Sequence, residues 1–206
     1  MRSRHGAVSP TRALVVYCHP SPASYVAALR DRVIAGLDAA GAETRLVDLY
    51  ADSFRPEFSA SERAAHLDDG TAPDIAEHGD ALQWCDTLIV VYPTWWAGQP
   101  AMLKGWFDRV WVSGIAWQLP EGTNRLRPRL DNVRQIVAVT THGSPKHVNA
   151  LEGEGGKRTL SRALRPMCHR FCRTKWLALY NLDRCTDDAR QRFLDRTERS
   201  ITELAR

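Results

Sequence analysis

No stretch of the sequence approaches the apolar length of a membrane span, so insertion into a membrane is not expected. Neither G-x-G-x-x-G nor G-x-x-x-x-G-K-[ST] occurs, which disfavours a dinucleotide Rossmann fingerprint and a Walker nucleotide site. No block of like charges, internal repeat or low-complexity tract breaks the chain. The net charge of +4 comes mostly from scattered arginines, so nucleic acid is not an expected partner. The mild basicity still suits an anionic small molecule such as a dinucleotide. Cysteines are few: Cys18, Cys85, Cys168, Cys172 and Cys185. Their odd number and irregular spacing argue against a disulfide framework. "MRSRHGAVSPTR" lacks the apolar core of a leader, and together these features point to a reducing cytoplasm. Cys168 and Cys172 would lie one helical turn apart, but no second pair completes a four-ligand zinc site, and no metal is expected.

What is present is a 206-residue chain with 44% apolar content, enough for one sizeable core. Residues 1–12 read as a flexible tail and 13–206 as one domain. "ALVVYC" (13–18) is a continuous apolar run of strand length, hence buried on both faces. Ser24 stands where an N-cap belongs, ahead of Val26, Leu29, Val33 and Leu37 at helical spacing, and Gly41 suits the C′ position. "ETRLVDL" (43–49) reads as a second strand. Residues 50–74 read as the least ordered part, with one weakly capped short helix in "SASERAAHL".

A helix from about 75 to 84 leads to the strand "TLIVVY" (87–92), and another follows Pro100 with Met102, Leu103, Trp106, Phe107, Val110 and Trp111 on one stripe. An irregular segment then precedes the strand "QIVAVTT" (135–141). A glycine-rich loop (143–156), a helix (about 157–170), the strand "KWLALYN" (175–181) and a helix from Asp187 complete the order. Five buried strands alternating with helices predict an α/β three-layer sandwich with a parallel sheet in order 2-1-3-4-5. Ligands in such sheets bind beyond the carboxyl ends of the strands, at the switch point. The loops after Cys18, Tyr92 and Thr141 are therefore the candidates.

Each candidate loop admits two readings. In "HPSPAS" the N-terminus of the first helix, with His19, Ser21 and Ser24, suits an anion or is simply a capped helix after a rigid turn. In "YPTWWAGQP", Pro93, Gly98 and Pro100 fix a turn carrying Trp95 and Trp96. These indoles either face a flat aromatic guest or plug a sheet edge or subunit contact. "TTHGSPKHVNALEGEGGK" is long and polar; Thr141 and Gly143 can present hydroxyl and N–H groups, and His142 and His147 are either site residues or solvated loop histidines.

Three segments, "HPSPASY", "YPTWWAGQPAMLKGWFDRVW…GIAW" and "TTHG", together resemble the NAD(P)H:quinone reductases of flavodoxin-like fold, over roughly residues 13–182. The middle segment is long and specific. The resemblance implies a non-covalent flavin, FAD or FMN, with NAD(P)H as co-substrate, and a homodimer with sites at the subunit boundary. By position, His19, Ser24 and Tyr25 match residues at the flavin's phosphate and ribityl portion. Pro93, Thr94, Trp95, Trp96 and Ala97 match the stretch along the isoalloxazine, and Thr141, His142 and Gly143 match a threonine-glycine-glycine segment at its pyrimidine edge. Trp117 matches an aromatic that closes the substrate pocket from the partner subunit.

The sequence departs from the pattern at Tyr25-Val26, at Ala97 where an aromatic often stands, and at the tyrosine and histidine over the flavin. His147 falls near the place of that tyrosine and is the one candidate catalytic side chain. The activity implied is hydride transfer by ping-pong from NAD(P)H through flavin N5 to a quinone or similar flat electrophile. The alternative is a flavoprotein regulatory subunit of a potassium efflux-type transporter.

Overall fold

The structure, a computed structural model, describes residues 9–68 and 72–206. Its centre is a parallel sheet of strands β1 (Arg12–Tyr17), β2 (Glu43–Asp48), β3 (Thr87–Pro93), β6 (Gln135–Thr141) and β7 (Arg173–Leu179). A minute antiparallel pair, β4 (Trp117–Gln118) and β5 (Arg127–Pro128), lies in the irregular segment between β3 and β6. The main sheet runs β2-β1-β3-β6-β7, which is the expected 2-1-3-4-5 order. Central β3 is buried at every position, while edge strands β2 and β7 are half exposed. That contrast is why the central strands read as unbroken apolar runs and the edges did not.

Alternate residues feed two cores. Ala13, Val15 and Tyr17 face α1 (Tyr25–Ala39) and the C-terminal helix, together with Leu29, Val33, Phe193 and Ile201. Leu14, Val16 and Cys18 face the opposite layer, where Leu82, Leu103, Trp106 and Val110 pack. That layer holds α2 (Ala60–Ala64), α3 (Ala76–Trp84) and α4 (Ala101–Val110). Ser24 caps α1 by accepting from the Ala27 N–H at 3.1 Å, and Gly41 follows its end at φ +72°. Among the described residues, no helix is long and apolar enough to cross a membrane.

Several expectations are revised. Residues 11 and 12 belong to the fold rather than to a tail: Arg12 pairs with Glu43, and Thr11 donates its hydroxyl to the Ala205 carbonyl at 2.9 Å; residues 1–8 lie outside the described set. The short helix in 59–64 is firmly capped: Ser59 and Glu62 form a reciprocal capping box, the S-x-x-E pattern the sequence carries. Loop 143–156 contains helix α5 (Lys146–Leu151) and the start of α6 (Gly155–Arg158). Beyond α6 the chain widens into a π turn over 159–164, tightens at Arg165–Met167 around Pro166, and ends at Cys168. Cys172 therefore lies past a turn closed by its N–H on the His169 carbonyl at 2.7 Å, not one helical turn along. All five cysteines are free, and no metal-ligand cluster occurs among the described residues. The last helix, α7 (Asp187–Ala205), is capped by Thr186.

Candidate active site

The carboxyl ends of β1, β3 and β6 are adjacent because the sheet reverses direction of growth at β1. Register pairs Pro93 with Thr141, and the Thr94 N–H donates to the Thr141 carbonyl at 2.8 Å, so the second and third loops leave the sheet side by side. Between them opens a cleft of about 490 Å³, lined by Thr94, Trp95, Trp96, Ala97, His142, Gly143, Ser144, Asn149 and Glu152.

The second loop is a two-residue hairpin. Trp95 and Gly98 exchange both backbone hydrogen bonds at 3.1 Å, and the two residues between them, Trp96 and Ala97, have φ of +48° and +59°. Both central residues in the left-handed region define a type I′ turn, which normally selects Asn-Gly. A side chain in that region costs roughly 1–2 kcal/mol per residue. The Trp96 indole that this strain holds out is fully exposed, and Trp95 is partly so. Packing within this chain offers the Trp96 ring nothing in return, and backbone strain of this kind clusters in proteins at ligand clamps and active sites. The turn is backed by α6: the Gln99 amide donates to the Gly156 carbonyl at 3.0 Å, and a Cβ on Gly156 would stand 3.0 Å from the Tyr92 hydroxyl.

His19 bridges to the first loop. Its ring lies 6.4 Å from that of Trp95, and its Nδ1 accepts the Ser21 N–H at 3.0 Å. The first-turn N–H groups of Tyr25 and Val26 at the start of α1 have no partner among the described residues. The N–H groups of Gly143 and Ser144, at the cleft wall, are likewise unengaged among the described residues. An indole face, amide donors without a partner among the described residues and a helix N-terminus together suit an anionic, flat heteroaromatic guest.

His142 is 3% exposed. Burial lowers its pKa from the ordinary 6.5, against a partial opposing pull from the Asn149 hydrogen bond, so the ring is neutral near pH 7. Glu154, in the left-handed region at φ +46°, accepts from the Tyr180 hydroxyl at 3.0 Å. Burial raises the Glu154 pKa, but the Tyr180 and Lys157 contacts outweigh it and hold the carboxyl below its usual range.

The structure thus brings together His19, Trp95, Trp96, Ala97, Thr94, His142 and Gly143, with Pro93 and Thr141 beneath them. Ser24 caps α1, one of the two readings its position admits. Three residues stand differently from expectation. Tyr25 turns toward α7, giving its hydroxyl to the Arg190 carbonyl at 2.8 Å. His147 is exposed on α5 and is not among the cleft-lining residues; Asn149, the buried residue of that helix, and its C-cap Glu152 line the cleft instead. Trp117 is packed in its own chain's core, its Nε1–H donating to the Trp111 carbonyl at 2.8 Å. Sequence reading missed Ser144, Asn149 and Glu152. The i, i+3 spacing of the last two was the available signal, but it means little unless the segment is recognised as helical.

A model of the family described as flavodoxin-like fold matches residues 11–204. "NAD(P)H dehydrogenase [quinone] 1" of Rattus norvegicus is 26% identical over 89% of this chain and 74% of its own length. An uncharacterized NAD(P)H oxidoreductase of Escherichia coli, YcaK, is 32% identical over 76% of each chain. The NAD(P)H:quinone oxidoreductase from Methanothermobacter marburgensis superposes with a TM-score of 0.80 at 25% identity, over 96% of this chain and 98% of that one.

Proposed function

The chain belongs to the flavodoxin-like family, and from that premise we propose that it is a flavin-dependent NAD(P)H oxidoreductase that reduces quinones or similar flat electrophiles. The observation that carries this reading is the strained turn presenting a fully exposed Trp96 beside Gly143 and Ser144, whose N–H groups have no partner among the described residues. The names of the rat and archaeal relatives point the same way.

The residues fit the cofactor. Trp95 and Trp96 offer an aromatic face, and Gly143 and Ser144 offer donors at its edge. His19, Ser21 and the first turn of α1 form the seat for its phosphate. A flavin bound there supplies two-electron hydride acceptance and donation in alternating half-reactions. The turn's role is orientation, holding the reacting planes in near-attack geometry. The Gly143 and Ser144 N–H groups would supply fixed donors to the negative charge that a flavin gains on reduction. His147 lies away from the cleft, so no side chain is assigned as a proton donor. Trp117 and a homodimeric arrangement bear on the acceptor pocket only through a second subunit. Nothing among the described residues favours the transporter-subunit reading.

Anaerobic addition of NADH or NADPH to the purified yellow protein is expected to bleach its absorbance near 450 nm, the oxidised-flavin band (about that wavelength for any protein-bound flavin). A quinone added afterwards restores the band. The reading fails if the folded protein binds neither FMN nor FAD, and chromatography of the compound released on denaturation decides between the two.

A further inference from the structure

Asn149 is the buried residue of α5. Its Nδ2 donates to the Ser144 carbonyl at 3.1 Å and to the Pro145 carbonyl at 2.9 Å, and its Oδ1 lies 2.6 Å from His142 Nδ1. Both amide protons are committed to carbonyls, so the amide oxygen faces the imidazole and the ring proton sits on Nδ1. Nε2 is then an acceptor, 3.5 Å from Thr94 Oγ1, which also lies 3.0 Å from Thr140 Oγ1. Tyr180 stacks on the imidazole, ring centroids 4.5 Å apart and planes 15° from parallel. A continuous line of hydrogen bonds runs from the end of β6 through His142 to the two peptides that precede α5.

Those two peptides follow directly on Gly143 and Ser144. The Ser144 carbonyl is held a second time, by the Asn181 N–H at 3.0 Å. Filling space alone would be served by an apolar side chain; three directed bonds from a single amide fix peptide orientation. We propose that His142 and Asn149 form a positioning latch that aims the Gly143 and Ser144 N–H groups into the cleft at the edge of the bound flavin. This inference rests on the flavin reading of the cleft. Neither residue transfers a proton or electron; both act through the backbone they hold. Because the aimed donors favour the reduced, more negative ring, the latch sets both affinity for the flavin and its reduction potential.

The test compares flavin dissociation constant, midpoint potential and amide hydrogen exchange over residues 143–152 in wild type, Asn149→Ala, His142→Leu and His142→Asn. Asn149→Ala and His142→Leu are expected to weaken flavin binding about tenfold, move the potential to more negative values and speed exchange in the loop. His142→Asn keeps an N–H near the Nδ1 position and is expected to stay within about twofold of wild type. Should the alanine variant not fold, Asn149→Leu removes both amide donors at similar volume and without a new charge, with the same expectation. Unchanged affinity and potential in folded Asn149 and His142→Leu variants overturn the latch alone. A wild-type protein that takes up no flavin overturns the functional reading, and the latch with it.

Discussion

At the scale of single residues, Trp96 and Ala97 separate a ligand role from a packing role. Trp96 is fully exposed, so Trp96→Ala is expected to change stability by no more than about 0.5 kcal/mol while weakening flavin binding several-fold. Urea unfolding of the flavin-free protein and a fluorescence titration read the two effects separately. A loss of stability without a loss of affinity would make the indole a packing residue. Ala97→Gly removes a Cβ from a position at φ +59° and is expected to stabilise the chain, by about 0.5–1 kcal/mol after the added entropy of the unfolded glycine is counted. The tryptophans were legible because two indoles beside prolines, after an apolar strand, have few reasons to be there. Asn149 was not legible. Its importance comes from a carbonyl five residues back and an imidazole seven back, a geometry that exists only once the chain has curled into α5.

Among the elements, the sheet and its order followed from the sequence because burial on both faces writes itself as continuous apolar runs. The described parts of segment 50–74, residues 50–68 and 72–74, did not follow, because polar side chains order them. Arg109 on α4 is 4% exposed and reaches Glu62 at 2.6 Å, the Arg55 carbonyl at 2.7 Å and Asp74 at 2.9 Å. One guanidinium thus ties three points of a stretch rich in Pro, Asp and Ser to a core helix. Burial raises the Glu62 pKa, but the Ser59 and Arg109 hydrogen bonds prevail and hold it low. Arg109→Met leaves the largely buried Glu62 carboxylate without its cation, with only the Ser59 contact remaining, and is expected to cost about 3 kcal/mol. Limited proteolysis should then cut within 55–74 first, with the sheet intact; cleavage elsewhere, or a stability equal to wild type, would deny the strap its role. The misread end of the helix beyond Arg158 has a similar origin. A π turn and Pro166 reshape a segment whose apolar spacing alone reads as one plain helix.

Across the whole molecule, stability should decline toward acid in two stages, from groups in different layers. His78, packed beside Phe54 and Trp106, and His142, at the cleft wall, both have pKa values lowered from 6.5, chiefly by burial. As pH falls below 6.5 their unfolded forms take up protons that the folded forms resist, so the unfolded state gains. The sign is a loss of stability on acidification, complete once pH has passed the lower, folded values. Asp74, lowered by its Arg109 hydrogen bond, and Glu62 and Glu154, lowered by partners that outweigh burial, act in the same direction at lower pH. Their contribution is present above the ordinary carboxylate range and disappears as pH falls through the folded values. Urea midpoints measured from pH 8 downward should be level until about 6.5, then fall, and fall again below about 4.5. His78→Asn should make the first decline shallower, leaving the His142 share, without moving the second. A midpoint constant down to about pH 5 would mean that neither imidazole is held neutral by the fold, and the tautomer assigned to His142 would lose its physical basis.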